Sequence, residues 1–196
     1  APLLQPMSGP VLAAVIAGGK ARRMGEQPKG LLARDGQTVL GRLLEIARAL
    51  APEVVLIGDP SGPYAELGVP VVPDAIPDKG APGGVYTALR TAERPGWVLV
   101  LACDLPDIDE AQLAALLDLE RAEQALIYEA FGRFQPLAAW WHTGAADAVQ
   151  ALLETGNPGF KRVLSVVPHR MVEAPRPEAF RNINRPEEAQ AAGLSF

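Results

Sequence analysis

The chain has 196 residues, 23 of them acidic and 18 basic, for a formal charge of −5. That length suits one ordinary globular domain, and a mildly acidic balance without a long basic run supplies no footprint for nucleic acid. Hydrophobic residues at 48% against 21% charged exclude wholesale disorder, and Cys103, the only cysteine, excludes an intramolecular disulfide and fits a reducing cytoplasm.

Residues 1–10 contain three prolines and no periodic pattern, so they read as a flexible N-terminal segment before a single domain over 11–196. The apolar run VLAAVIA at 11–17 ends in Gly18 and Gly19, as a strand buried on both faces does. It is too short to span a bilayer and follows no basic region, so no membrane or targeting segment is expected. Val39, Leu40, Leu43, Leu44, Ile46, Ala47 and Leu50 recur at helical spacing and predict an amphipathic helix over 38–50, stopped by Pro52. A strand at 54–57, a short helical piece at 64–67 and a third strand at 69–72 follow. Next come a glycine-rich helix start at 83–93 and the buried strand WVLVLAC at 97–103, with Asp104 at its end.

In the second half a helix is expected at 109–119, strands at 125–129 and 136–141, and helices at 144–154, 161–167 and 186–192. No repeat or linker divides the halves. Strand, loop, helix and strand alternate, which predicts an α/β fold: a three-layer α/β/α sandwich around a mostly parallel, Rossmann-like sheet.

Chemistry concentrates in IAGGKARRMGEQPKGLL at 16–32, just beyond the carboxyl end of the first strand, where open α/β sheets bind ligands. Glycines let backbone amides approach phosphate oxygens, and Arg22, Arg23, Lys20 and Lys29 neutralise charge. No Lys-Ser or Lys-Thr follows Gly25, which excludes a Walker loop, and the dinucleotide-binding glycine spacing is absent. Asp104, a carboxylate ending a buried strand, suits Mg²⁺, which takes oxygen ligands and is often held by one or two carboxylates plus phosphates. Asn182 and Asn184 alternate along an extended piece and so can present both amides to one ligand. Cys103 reads as a small buried thiol without a neighbouring base, not a nucleophile. His142 and His169 lack ligand spacing and are placed at surfaces or strand ends. Trp140 and Trp141 are adjacent and face opposite sides of a strand, one of them in the core and the other assigned to core or interface burial in preference to stacking on a ligand.

Gly18-Gly19-Lys20-Ala21-Arg22-Arg23-Met24-Gly25 with Lys29-Gly30-Leu31-Leu32 resembles the nucleotidyltransferase signature, and more narrowly that of the molybdenum cofactor guanylyltransferase (MobA) family. Val72-Pro73-Asp74, Gly80-Ala81-Pro82-Gly83-Gly84, Cys103-Asp104-Leu105-Pro106, Gln135-Pro136-Leu137 and Asn182-Ile183-Asn184-Arg185-Pro186-Glu187 extend the resemblance over about residues 11–190. It implies the nucleotide-diphospho-sugar transferase type of sheet and transfer of GMP from GTP to a molybdopterin phosphate with Mg²⁺. Pyrophosphate would leave, and molybdenum cofactor proteins would be transient partners. By the same resemblance Ile16, Ala17, Gly18, Gly19, Lys29, Asp74, Gly83 and Asp104 would bind nucleotide, and Asp104 the metal. Gln135, Lys161, Arg162, Asn182 and Asn184 would serve the acceptor, and Arg23, Lys29, Asp104, Asn182 and Asn184 catalysis. Gly18-Gly19 favours guanine over cytosine, although Leu56-Ile57-Gly58-Asp59 lacks the family's frequent base-contacting Asn. The alternatives are a relative using CTP or a sugar phosphate, and a GTP-binding accessory protein without catalysis.

Overall fold

Continuous apolar runs form the centre of one sheet. The computed structural model describes residues 9–17, 28–119 and 122–196. Strand β1 (Pro10–Ile16) lies between β4 (Val54–Ile57) and β6 (Trp97–Ala102), parallel to both. Before β4 come a 3-10 turn at Lys29–Leu31, a small hairpin of β2 (Ala33–Arg34) and β3 (Gln37–Thr38), and helix α1 (Val39–Leu50). The Thr38 hydroxyl caps α1 by accepting the Gly41 N–H at 3.0 Å. Strand β5 (Val71–Val72) extends the sheet beyond β4, and α2 (Gly80–Thr91) leads into β6.

Helix α3 (Glu110–Leu116) is capped by Asp109, and then come β7 (Ala125–Ala130), β8 (Arg133–Phe134) and β9 (Ala138–His142). Helices α4 (Ala146–Glu154) and α5 (Phe160–Leu164), strand β10 (His169–Glu173) and helix α6 (Pro186–Ala191) complete the order. Among the described residues the sheet runs β10-β7-β9-β6-β1-β4-β5, with β8 paired to β7, so both halves of the chain share it. Only β9 and β8 run against the parallel direction.

Side-chain alternation divides the core into two layers. Leu99, Leu101 and Trp140 pack with α1, α3 and α6, while Val98, Val100 and Trp141 pack with α2, α4 and α5. Both tryptophans are fully buried, each on its own face, as expected of the pair, because helices cover both sides of the sheet. Each indole N–H finds a carbonyl, Trp140 at Leu113 (2.8 Å) and Trp141 at Pro136 (3.0 Å).

Other differences are local. Residues 64–67 form turns instead of a helical piece, because Tyr64 and Leu67 are joined only by a three-residue backbone bond. Helix α2 begins at Gly80, three residues before the expected start, so Gly83 lies inside it; Pro82 fits a first turn that needs no N–H there. The edge strand β10 and the Asp35-Gly36 hairpin are additions, and the helix expected at 161–167 is confined to Phe160–Leu164. Among the described residues no helix is long and apolar enough to cross a membrane.

Candidate active site

The carboxyl ends of β1, β4, β5 and β6 lie along one edge of the sheet, and of the residues singled out by sequence Lys29, Asp104 and Asn184 meet there. Gly18, Gly19, Lys20, Arg22, Arg23 and Gly25 lie outside the described residues, but both flanks of their segment are placed. On the near side the Ala17 N–H donates to Ile57 O at 2.9 Å, and the Cys103 N–H donates to Ile16 O at 3.2 Å. Ile16 and Ala17 therefore stand at the mouth of the sheet, between the ends of β4 and β6.

On the far side, Lys29 enters the site. Its Nζ donates to Asn184 Oδ1 at 2.9 Å and stands 3.7 Å from Asp104 Oδ2. The next residue is the anchor. Gly30 is buried, its N–H donates to the Tyr64 hydroxyl at 3.1 Å, and a Cβ there would fall 3.0 Å from that oxygen and 3.1 Å from Leu40 Cβ. No side chain larger than glycine fits without moving Tyr64 or α1. Burial pushes the Tyr64 phenol up to about 12, so it stays neutral and able to accept. Tyr64→Phe leaves the buried Gly30 N–H without an acceptor and is expected to cost about 1–3 kcal/mol in urea unfolding. An unchanged unfolding midpoint would show that this contact carries no weight.

Asp104 follows β6 and keeps 19% of its side chain exposed. Burial raises its pKa above the ordinary carboxylate value, and Lys29 offsets only part of that rise. A partly buried carboxylate at the mouth of the sheet, short of positive charge, is a place for a cation. Among the described residues no cluster of three or more His, Cys, Asp or Glu could hold a metal unaided. That donor set fits Mg²⁺, which commonly takes few protein carboxylates and completes its shell with phosphate oxygens and water. Cys103, beside it, is pushed up to about 12 by burial and then by Asp104, so the thiol stays protonated and is no nucleophile.

The third member arrives from the far end of the chain. Residues 180–184 cross the carboxyl edge: the Phe180 ring packs edge-on against Tyr128 of β7, 5.5 Å between centroids, and the Ile183 N–H donates to Asp104 O at 2.9 Å. Ile183 is buried while Asn182 is exposed and Asn184 half-buried, the alternation of an extended segment. Glu188 at the start of α6 accepts the N–H groups of Asn184 (2.6 Å) and Arg185 (3.1 Å). The bond from Asn184 is the main reason the Glu188 pKa is lowered. Its role in placing Asn184 was absent from the sequence reading, although Glu three residues after a helix cap is a recognisable signal.

The remaining candidates are spread more widely. Asp74 is exposed after β5, three strands from β6, and the Ala75 N–H donates to Thr87 Oγ1 at 3.0 Å. Thr87 in turn donates to Gly83 O at 2.9 Å within α2, and a Cβ on Gly83 would fall 2.7 Å from Lys79 Cβ. A Cβ on Gly84 would lie 2.9 Å from Ile16 Cδ1, so that glycine brings α2 close against the end of β1. The Gln135 amide donates to Ala130 O and Arg133 O, both at 3.2 Å, and closes the turn between β7 and β8. Lys161 and Arg162 are exposed on α5, with no ion pair among the described residues. His142 ends β9 and His169 begins β10.

A mostly parallel open sheet, with a glycine-rich basic sequence after its central strand and a lysine 3.7 Å from a carboxylate just past the neighbouring strand, fits the nucleotidyltransferase class. The chain belongs to the MobA-like NTP transferase family, whose model matches residues 13–175. It is 30% identical over 200 residues to the molybdenum cofactor guanylyltransferase of Shewanella sp. strain W3-18-1, covering 97% of this chain and 99% of that protein. Its fold is similar to molybdopterin-guanine dinucleotide biosynthesis protein A from Archaeoglobus fulgidus, with TM-score 0.76 and 22% identity over 93% of this chain and 97% of the other. Rv0371C from Mycobacterium tuberculosis, in complex with manganese, is similar with TM-score 0.61 and 22% identity over 84% of this chain and 88% of that one.

Proposed function

We propose that the chain transfers GMP from GTP to the phosphate of molybdopterin and releases pyrophosphate. The observation that carries this reading is the convergence of Lys29, Asp104 and Asn184 at the carboxyl edge of β6.

An oxygen of the acceptor phosphate attacks the α-phosphorus of GTP in line; one P–O bond forms as the bond to the pyrophosphate oxygen breaks. The step needs no covalent enzyme intermediate. Catalysis is positioning and charge neutralisation, as in phosphoryl transfer generally. Backbone amides of Gly18 and Gly19, with Arg23 and Lys29, hold the triphosphate, and Ile16, Ala17 and Asp74 border the nucleoside. Lys29 lies within reach of both a carboxylate and an amide. Its ammonium can thus turn toward phosphate while Asn184 keeps its two amide hydrogens for the acceptor. Asn182, Gln135, Lys161 and Arg162 complete the acceptor side. Asp104 would hold the divalent ion, which we assign as Mg²⁺ and which would supply charge neutralisation for the phosphates.

Molybdenum cofactor proteins that deliver and receive the acceptor are the expected transient partners, and the setting is cytoplasmic. Base choice gives the immediate test: with Mg²⁺, GTP should raise the melting temperature of the protein more than CTP does. Stronger stabilisation by CTP would remove the guanylyl assignment.

A further inference from the structure

The turn between β7 and β8 is built in an unusual way. Phe131 adopts φ 55° and Gly132 φ 68°, the left-handed pair of a tight hairpin. Glycine and asparagine take the first of these positions readily, whereas a bulky aromatic there is strained. The strain is not offset by burial, because Phe131 is 56% exposed. Its one described ring partner is the guanidinium of Arg181, 5.8 Å from the ring centroid. Arg181 is itself exposed and forms no ion pair among the described residues. A pair so open to water adds little to folding.

Its position gives it a use. Ala130 ends β7 at the same sheet edge as Asp104, and Arg181 belongs to the segment that crosses from Tyr128 to Asp104. Arg181 stands two residues from Ile183, whose N–H holds Asp104 O, and one residue from Asn182. That is a step of about 7 Å along an extended chain. Gln135 closes the turn that presents the ring. A flat aromatic face with a cation on it, one step from groups that handle phosphate, suits a ligand with a planar heterocycle at one end and a phosphate at the other.

We infer that Phe131 and Arg181 form the platform on which the fused heterocycle of the acceptor stacks, with its phosphate reaching Asn182 and Asn184. The inference rests on the guanylyltransferase reading for the identity of the heterocycle, a pterin. Phe131 supplies the stacking face; Arg181 holds the ring from one side and attracts the anionic ligand. Gln135 acts through the turn and is a positioning residue.

The test uses the full chain with Phe131→Asn, which removes the ring while keeping a residue at ease in this backbone conformation, and with Phe131→Tyr and Arg181→Gln. Two readouts are needed: quenching of pterin fluorescence on titration with a phosphate ester of hydroxymethylpterin, and the separate KM values for molybdopterin and GTP in transfer. Phe131→Asn should weaken pterin binding and raise the molybdopterin KM about tenfold, the order expected from losing one stacking aromatic. The GTP KM should be unchanged, Phe131→Tyr should behave like the parent, and Arg181→Gln should fall between. Normal transfer with an unchanged molybdopterin KM in Phe131→Asn would overturn the inference and leave the guanylyltransferase reading standing. Ring-dependent pterin binding without GMP transfer by the parent would uphold the platform and sink that reading instead.

Discussion

Asp104→Asn is expected to lower turnover about a thousandfold at saturating GTP, the scale on which loss of a preorganised charge stabiliser acts, while the fold survives. Asparagine keeps the shape and one acceptor oxygen but not the charge a divalent ion needs. The stability effect has the opposite sign. Burial raises the Asp104 pKa in the folded protein, so the group favours folding fully below its unfolded value and loses that contribution as pH rises through the folded value. At neutral pH the ionised side chain is therefore a burden in the metal-free protein, and the variant should melt no lower than the parent. Initial rates against Mg²⁺ concentration, with circular dichroism as the control for folding, decide the matter. A near-normal rate with unchanged Mg²⁺ dependence would reduce Asp104 to a turn residue, a role asparagine fills equally well.

Lys29→Met should lower turnover about a hundredfold and, unlike Asp104→Asn, also lower the melting temperature. The ammonium is the one described cation within 4.0 Å of Asp104, and it also donates to Asn184 at 2.9 Å. Without it a partly buried carboxylate loses its counter-charge, and Asn184 loses the contact that orients it. Arginine should not rescue the activity, because a planar guanidinium cannot replace a compact ammonium between a carboxylate and an amide. The two residues touch, so their effects should not add: in Lys29→Met with Asp104→Asn much of the stability loss should vanish. Equal melting temperatures for Lys29→Met and the parent would contradict the pairing.

The first half of the fold was readable because its strands are buried on both faces. Runs such as 54–57 and 97–103 are apolar throughout, and helices cover them on either side. Strand β10 was missed for the converse reason: its residues HRMVE are exposed or half-buried at the sheet edge and show neither continuous apolarity nor clean alternation. Two-residue strands escape any periodic reading, although Asp35-Gly36, with φ 53° and 79°, carries the turn chemistry that marks a hairpin. At the site, Lys29, Asp104 and Asn184 could be chosen singly from motifs, but their meeting depends on residues 180–184 crossing three strand ends. No local pattern encodes that. The supports, Tyr64 beneath Gly30 and Glu188 beneath Asn184, act through backbone N–H groups and so leave little trace in residue type.

The central claim is the identity of both substrates, and one measurement addresses it: pyrophosphate release by the purified chain with Mg²⁺, each of the four nucleoside triphosphates being paired with molybdopterin and with a set of sugar phosphates. The product is identified by mass. The account predicts release with GTP and molybdopterin together, one GMP added per acceptor, and little with any other pair. Faster release with CTP or with a sugar phosphate, or GTP binding without pyrophosphate when molybdopterin is present, would contradict it.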